Sequence, residues 1–229
     1  MKKFFYSIPL VTIFIGIFNT QSSSFANDEV NALPKGWVSS YTNIKDKVPL
    51  WEVLKNKGTY SKGRVIRLVK TEAHGSEFNL YYTKKIKFLN GTVSVAFKAD
   101  SGHEDQGGGI VWRVKDNNNY YVARYNPLED NFCLYYIKNG NRRILNSVTV
   151  TLDKGYWHTM KIVQNENHYA AYLDSKKALE GKDTTFKNAG GVGIWTKADA
   201  LTSFKDFKVI EENWLLKNYL FFSLIKWEC

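Results

Sequence analysis

From Gly102 to Arg143 the sequence reads GHEDQGGGIVWRVKDNNNYYVARYNPLEDNFCLYYIKNGNRR, and its apolar residues return at every second position in three runs. The runs are GGIVWRV, NYYVARYN and NFCLYYIK, each closed by Asp, Asn, Gly or Pro. A period of two bounded by turn residues predicts three antiparallel strands joined by tight turns. Alternation then sorts the polar side chains. Arg113 opposes Trp112 in sense, while Arg124 and Asn126 share one face and Tyr121, Ala123 and Tyr125 the other. A half-buried guanidinium needs acceptors, and Glu129, Asp130 and Asp105 on the adjoining loops are the natural partners of these arginines.

The same spacing continues on both sides. Trp51–Val53, Arg64–Val69, Glu77–Tyr82 and Lys84–Leu89 read as strands, and Asn90-Gly91 predicts a type I′ hairpin pairing Ile86–Leu89 with Thr92–Lys98. Asn139-Gly140 predicts a second, pairing Phe132–Lys138 with Arg142–Leu145. Strands at Val148–Leu152, Trp157–Gln164, His168–Leu173, Lys177–Glu180, Gly190–Thr196 and Phe204–Ile210 follow at the short, even spacing of a β-sandwich. Asn27–Leu50 reads as a surface loop whose Trp37 packs down onto the sandwich. No helix of ten residues with a 3.6 period precedes Glu211.

The chain begins with Lys2-Lys3, an apolar run from Phe4 to Phe18 and a polar stretch ending Ser24-Phe25-Ala26. This is the form of a secretory signal peptide over residues 1–26, shorter than the roughly 20 residues of a membrane span. The mature chain is therefore expected to start near Asn27, secreted or periplasmic, with no transmembrane span. The formal charge is +10; removing the leader takes two lysines and no acid, leaving +8. The basic residues are scattered rather than gathered into a phosphate-tracking stripe, which argues against nucleic acid as partner. Cys133 and Cys229 form no metal or redox motif, and Cys133 inside a strand behaves as a small apolar residue.

Several phrases recur together: Gly109-Ile-Val-Trp-Arg113, Asn119-Tyr-Tyr121, Arg124-Tyr-Asn126, Leu128-Glu-Asp-Asn131, Tyr172-Leu-Asp174, Gly191-Val-Gly-Ile-Trp-Thr-Lys-Ala-Asp199 and Phe204-Lys-Asp-Phe207. On these the chain resembles the secreted 3-keto-disaccharide hydrolase or DUF1080-like group, also described as family 16 glycoside hydrolase-like, over roughly Trp37 to Ile210. The resemblance implies an all-β fold: a concanavalin A-like jelly-roll β-sandwich of two antiparallel sheets with one concave face, as one domain over residues 27–210.

Laminarinase-type hydrolysis in that fold uses acids spelled Glu-x-Asp-x-x-Glu on one strand face, and this chain has no such spelling. A carbonyl at sugar C3, as the resemblance implies, acidifies the C2 proton, so that one base and one oxyanion stabiliser suffice for loss of the C1 substituent. Glu129 or His103 can serve as that base, with Arg113, Arg124 or Lys197 facing the enolate. Binding of a carbohydrate or glycoside would use Arg113, Arg124, Asn126, Gln106, Lys197 and Asp199, with Trp195 as aromatic platform. The competing readings are a salt-bridge network of Arg113, Arg124, Glu129 and Asp199 and a core position for Trp195. Asp100, Glu104 and Asp105 are loop acids of a type that ligates calcium, solvated turn acids being the other account; no other cofactor is expected. Residues 211–229 form an apolar tail outside the resemblance. Three functions remain open at this point: a glycoside-cleaving enzyme, a lectin-like or envelope-binding module, and an interaction module without a sugar site.

Overall fold

The computed structural model describes residues 18–23, 34–55 and 63–212. Its strands, in chain order, are β1 (Phe18–Ser23), β2 (Trp37–Thr42), β3 (Leu50–Lys55), β4 (Arg64–Lys70) and β5 (Phe78–Phe88). There follow β6 (Gly91–Ser101), β7 (Gly108–Asp116), β8 (Asn119–Asn126), β9 (Asn131–Lys138) and β10 (Asn141–Thr149). The series ends with β11 (His158–Asn165), β12 (His168–Leu173), β13 (Lys176–Lys182), β14 (Gly190–Lys197) and β15 (Leu201–Glu212). Among the described residues there is no helix. One sheet runs β13-β12-β11-β6-β15-β4-β3, with β1 also paired to β15, and the other β10-β9-β8-β7-β14-β5-β2. All pairings are antiparallel, and the two sheets form a jelly-roll sandwich.

The main core lies between the sheets. Alternation sends Ile110, Trp112, Tyr121, Ala123, Tyr125, Leu134 and Ile194 inward against Val93, Val95, Phe97, Met160, Ile162 and Phe204. Each large apolar side chain so buried contributes roughly 1.5–3 kcal/mol. Trp112 satisfies its one polar atom within this core, Nε1 donating to Gln164 Oε1 at 2.9 Å.

The hairpin predicted at Asn139-Gly140 is present, with φ of 50° and 76° and Asn141 opposite Lys138. The one predicted at Asn90-Gly91 is not: β5 belongs to one sheet and β6 to the other, so the turn is a corner between layers. Two contacts fix that corner. Gly91 adopts φ +125° with a position for Cβ only 2.0 Å from the Ile210 carbonyl oxygen, and Asn90 Oδ1 accepts the Glu166 amide. A dipeptide with the right turn propensity thus serves a different connection, because β6 finds its partners in β11 and β15.

Other boundaries also move. Glu77–Tyr82 and Lys84–Leu89 fuse into the single strand β5, and Val148 joins Arg142 in β10 across a bulge between Ile144 and Asn146. Within the segment read as loop, Trp37–Thr42 is the edge strand β2; Trp37 does pack downward, stacked on Tyr81 at 5.1 Å. Phe18–Ser23, within the leader-like segment, pairs with Phe207–Glu212. The rest of that segment and residues 213–229 of the tail, including Cys229, lie outside the described residues.

Candidate functional site

The outer face of the β10-to-β2 sheet divides into two parts along its strands. One is a second apolar cluster of Phe78, Leu80, Tyr82, Val111, Val114, Tyr120, Val122, Cys133, Tyr135, Ile137 and Trp195. The sheet rolls over this cluster. Its edge strands β2 and β10 are six strand spacings apart, roughly 29 Å in a flat sheet. Yet Asn43, just beyond β2, donates from Nδ2 to the carbonyl of Gly140, in the turn before β10, at 2.9 Å. Thr42 Oγ1 meets the Tyr120 hydroxyl at 2.8 Å, and the Arg142 guanidinium lies over the Tyr135 ring at 4.7 Å. Trp195 is 0 % exposed within this cluster, its Nε1 donating to Tyr120 at 3.1 Å and its ring 5.0 Å from Phe78. It has no open face to offer a sugar.

Two residues further along the same strand faces the side chains become charged. Arg124 follows Val122 on β8, and Lys197 follows Trp195 on β14. Between β8 and β14 stands Gly109 of β7, opposite both Arg124 and Trp195 in register, where any Cβ would meet the Ala123 carbonyl at 1.7 Å. Arg124 Nη2 donates to Asp105 Oδ1 at 2.6 Å, and Lys197 Nζ to Asp105 Oδ2 at 2.8 Å. The side chains of Arg124 and Asp105 are only 2 % and 1 % exposed and that of Lys197 15 %, so this is a buried ion triad.

Glu129, on the tight turn between β8 and β9, reaches back over the triad. Its side chain is 52 % exposed, with Oε2 at 3.5 Å from Arg124 Nη1 and accepting from Asn131 Nδ2 at 2.8 Å. Partial burial pushes its carboxyl up, but the Asn131 hydrogen bond and the charges of Arg124 and Lys197 outweigh burial and hold it below the ordinary glutamate range. Glu129 is therefore ionised at neutral pH. Arg124 Nε and Asn131 Oδ1 are buried beside it without hydrogen-bond partners, an uncommon condition for polar atoms inside a protein.

The other expected site residues are placed as follows. Asn126 is buried, its Oδ1 accepting the Leu128 amide and so shaping the turn that carries Glu129. Asp199 accepts the amides of His103, Asp105 and Glu104 at 2.7, 2.9 and 3.1 Å, which pins the loop that delivers Asp105. Burial would raise the Asp199 carboxyl, but those three amides outweigh it and hold it low. His103 is exposed and Gln106 half-buried on this loop.

Arg113 belongs elsewhere, and the acids expected around it are not its partners. Near the far end of β7, at φ +47°, it donates to the carbonyls of Leu89, Phe186 and Glu166 at 2.6–3.1 Å. The bulge between Trp112 and Asp116 turns it away from the face that strict alternation assigns. Asp100, Glu104 and Asp105 are each engaged separately, by Arg67 and Lys98, by the Gly75 amide, and by the triad. Among the described residues no group of three His, Cys, Asp or Glu could hold a metal ion, and no helix is long and apolar enough to cross a membrane.

Asn131 was not among the expected site residues. Its signal was in the sequence, since Asn126 and Asn131 flank the turn at the same register position.

A family model described as a 3-keto-alpha-glucoside-1,2-lyase-like domain matches residues 27–210. Among solved structures, the carbohydrate binding module CBM66 from Bacillus subtilis superimposes with TM-score 0.60 at 17% identity, over 76% of this chain and 95% of that one. A Bacteroides ovatus mixed linkage glucan GH16 protein, solved with its G4G4G3G product, gives 0.57 at 11% identity, over 83% and 99%. The Bacillus licheniformis beta-glucanase gives 0.55 at 13% identity, over 85% and 98%. At such identities the likeness is one of fold. No curated protein matches the sequence. The family match spans most of the sequence and the described sandwich from β2 to Ile210 of β15, and on that ground the chain belongs to the 3-keto-alpha-glucoside-1,2-lyase-like domain family.

Proposed function

We propose that this protein engages carbohydrate at the charged end of its outer sheet face and cleaves a 3-keto-glycoside there by elimination. The observation that carries the reading is Glu129, an ionised and half-exposed carboxylate 3.5 Å from the buried Arg124 guanidinium and within the field of Lys197, both cations being held by Asp105. In this scheme Glu129 takes the proton from C2 of the sugar, and the electron pair passes into the C3 carbonyl to give an enolate. The enolate oxygen is stabilised by the Lys197 ammonium, assisted by Arg124. Collapse of the enolate restores the C3 carbonyl, forms the C1–C2 double bond and expels the C1 substituent, whose oxygen takes up a proton. No water is consumed and no electrons are exchanged with a cofactor.

The burial of Trp195 removes the platform on which the purely lectin-like reading leaned most. We place the activity outside the cytoplasm, on the leader-like character of residues 1–26.

The test is release of p-nitrophenol from p-nitrophenyl 3-keto-α-glucoside by the full chain and by Glu129→Gln. Turnover by the native chain and a loss of roughly 10²-fold or more in the variant are expected. Equal rates would remove Glu129 as base. Binding of the substrate without turnover in the native chain would favour the non-catalytic module.

A further inference from the structure

At the opposite end of β7 from Arg124 lies a cavity of about 400 Å³ lined by residues of three loops. Arg113, only 3 % exposed, ties those loops together through the carbonyls of Leu89, Glu166 and Phe186. Four of the five guanidinium N–H groups are thereby spent on shaping the wall, and what remains open is chiefly the rim. The side chains of Asn167, Thr184 and Lys187 make no hydrogen bond or ion pair among the described residues. Asp183 spends Oδ1 on the Tyr121 hydroxyl and the Thr185 amide and keeps Oδ2. Asn90 spends Oδ1 on the Glu166 amide and keeps Nδ2. Phe186, held edge-on to Tyr121 at 5.1 Å, provides an apolar wall.

We infer that this cavity is a second carbohydrate-binding site, taking a neutral glycan segment of one or two pyranose rings. Three arguments select that class. The free groups mix donors and acceptors, as hydroxyls on a ring require. Formal charges balance, with Arg113 and Lys187 against Glu166 and Asp183, so neither an anion nor a cation is favoured. The volume falls in the range of small-ligand sites, and an aromatic wall beside convergent polar groups suits a sugar with one C–H face. Arg113 lies four residues beyond Gly109, the register partner of Arg124, or roughly 13 Å along the strand. The cavity is thus separate from Glu129, and the inference stands whether or not Glu129 is a base.

The test is a titration of the ¹⁵N-labelled full chain with maltose and with cellobiose, following backbone amides. Shifts at Asn167, Thr184 and Lys187 that saturate together, persist in Glu129→Gln, and weaken about tenfold in Asn167→Ala would support the site. Thr184→Val, on an exposed hydroxyl, gives a second variant with the same expected direction should Asn167→Ala disturb its turn. Silence at these amides, or shifts confined to residues 103–131, would overturn the inference. An equal response to sodium sulfate would overturn its neutral-sugar class.

Discussion

Replacing Asp105 by alanine strips the buried triad of its only anion. Its two oxygens sit 2.6 Å from Arg124 and 2.8 Å from Lys197. Lys197, 15 % exposed, can turn its ammonium towards water, whereas Arg124, at 2 %, is left with Glu129 at 3.5 Å and little else. Removing one partner of a buried pair costs about 3–5 kcal/mol, mainly because the stranded charge stays desolvated. The upper half of that range applies if Arg124 stays fixed, the lower half if Lys197 swings out and the loop relaxes. Arg124→Met keeps most of the volume and removes the cation, leaving Asp105 with Lys197. In that background Asp105→Ala is expected to cost about 2–3 kcal/mol less. Urea unfolding of the four chains of the cycle, with slopes unchanged, measures this. A single-variant cost under about 1 kcal/mol, or an equal cost in both backgrounds, refutes the triad as described.

Four further outcomes follow. Gly91→Ala forces a side chain against the Ile210 carbonyl at φ +125° and should destabilise by more than about 1 kcal/mol in the same urea assay; neutrality would contradict the corner geometry. Trp195→Phe should cost about 1–3 kcal/mol, from the lost bond to Tyr120 and lost packing, while leaving sugar affinity unchanged; an affinity loss with stability intact would put Trp195 at a ligand. Because the Asp199 carboxyl is depressed in the folded chain, its contribution is complete above the ordinary aspartate range near pH 3.9 and is lost as pH falls through its lower folded value. Asp199→Asn should remove that acid-limb dependence and speed amide exchange at His103, Glu104 and Asp105; unchanged exchange would refute the pinning. N-terminal sequencing of exported protein should begin at Asn27, and a start at Met1 would refute the leader.

The strands of the central stretch were legible because alternation there is unbroken. Their faces followed from it, so the grouping of Arg124 with Asn126 away from Tyr121, Ala123 and Tyr125 matches the structure. What alternation could not convey was curvature. Seven strands that roll until Asn43 reaches Gly140 turn an outer face into a second core, and Trp195 passes from platform to packing without any local change in pattern. Arg113 escaped for a related reason, since one residue at positive φ within a bulge re-aims a side chain that strict alternation places elsewhere. The Asn90-Gly91 corner shows the limit of turn propensity, which specifies a bend and not the layer the next strand joins. Glu129 and Lys197, by contrast, were singled out from residue type within recurring phrases, and the fold brings both to the Arg124–Asp105 pair across nearly seventy residues of chain.

The central claim is proton abstraction from C2 by Glu129, and the most direct measurement is the primary isotope effect on cleavage of a 3-keto-α-glucoside deuterated at C2. Abstraction of the C2 proton makes the native chain cleave the deuterated substrate more slowly and leaves the label absent from the unsaturated sugar product. Cleavage at the same rate for both substrates, with deuterium retained at C2 in a hydrated sugar product, would contradict it.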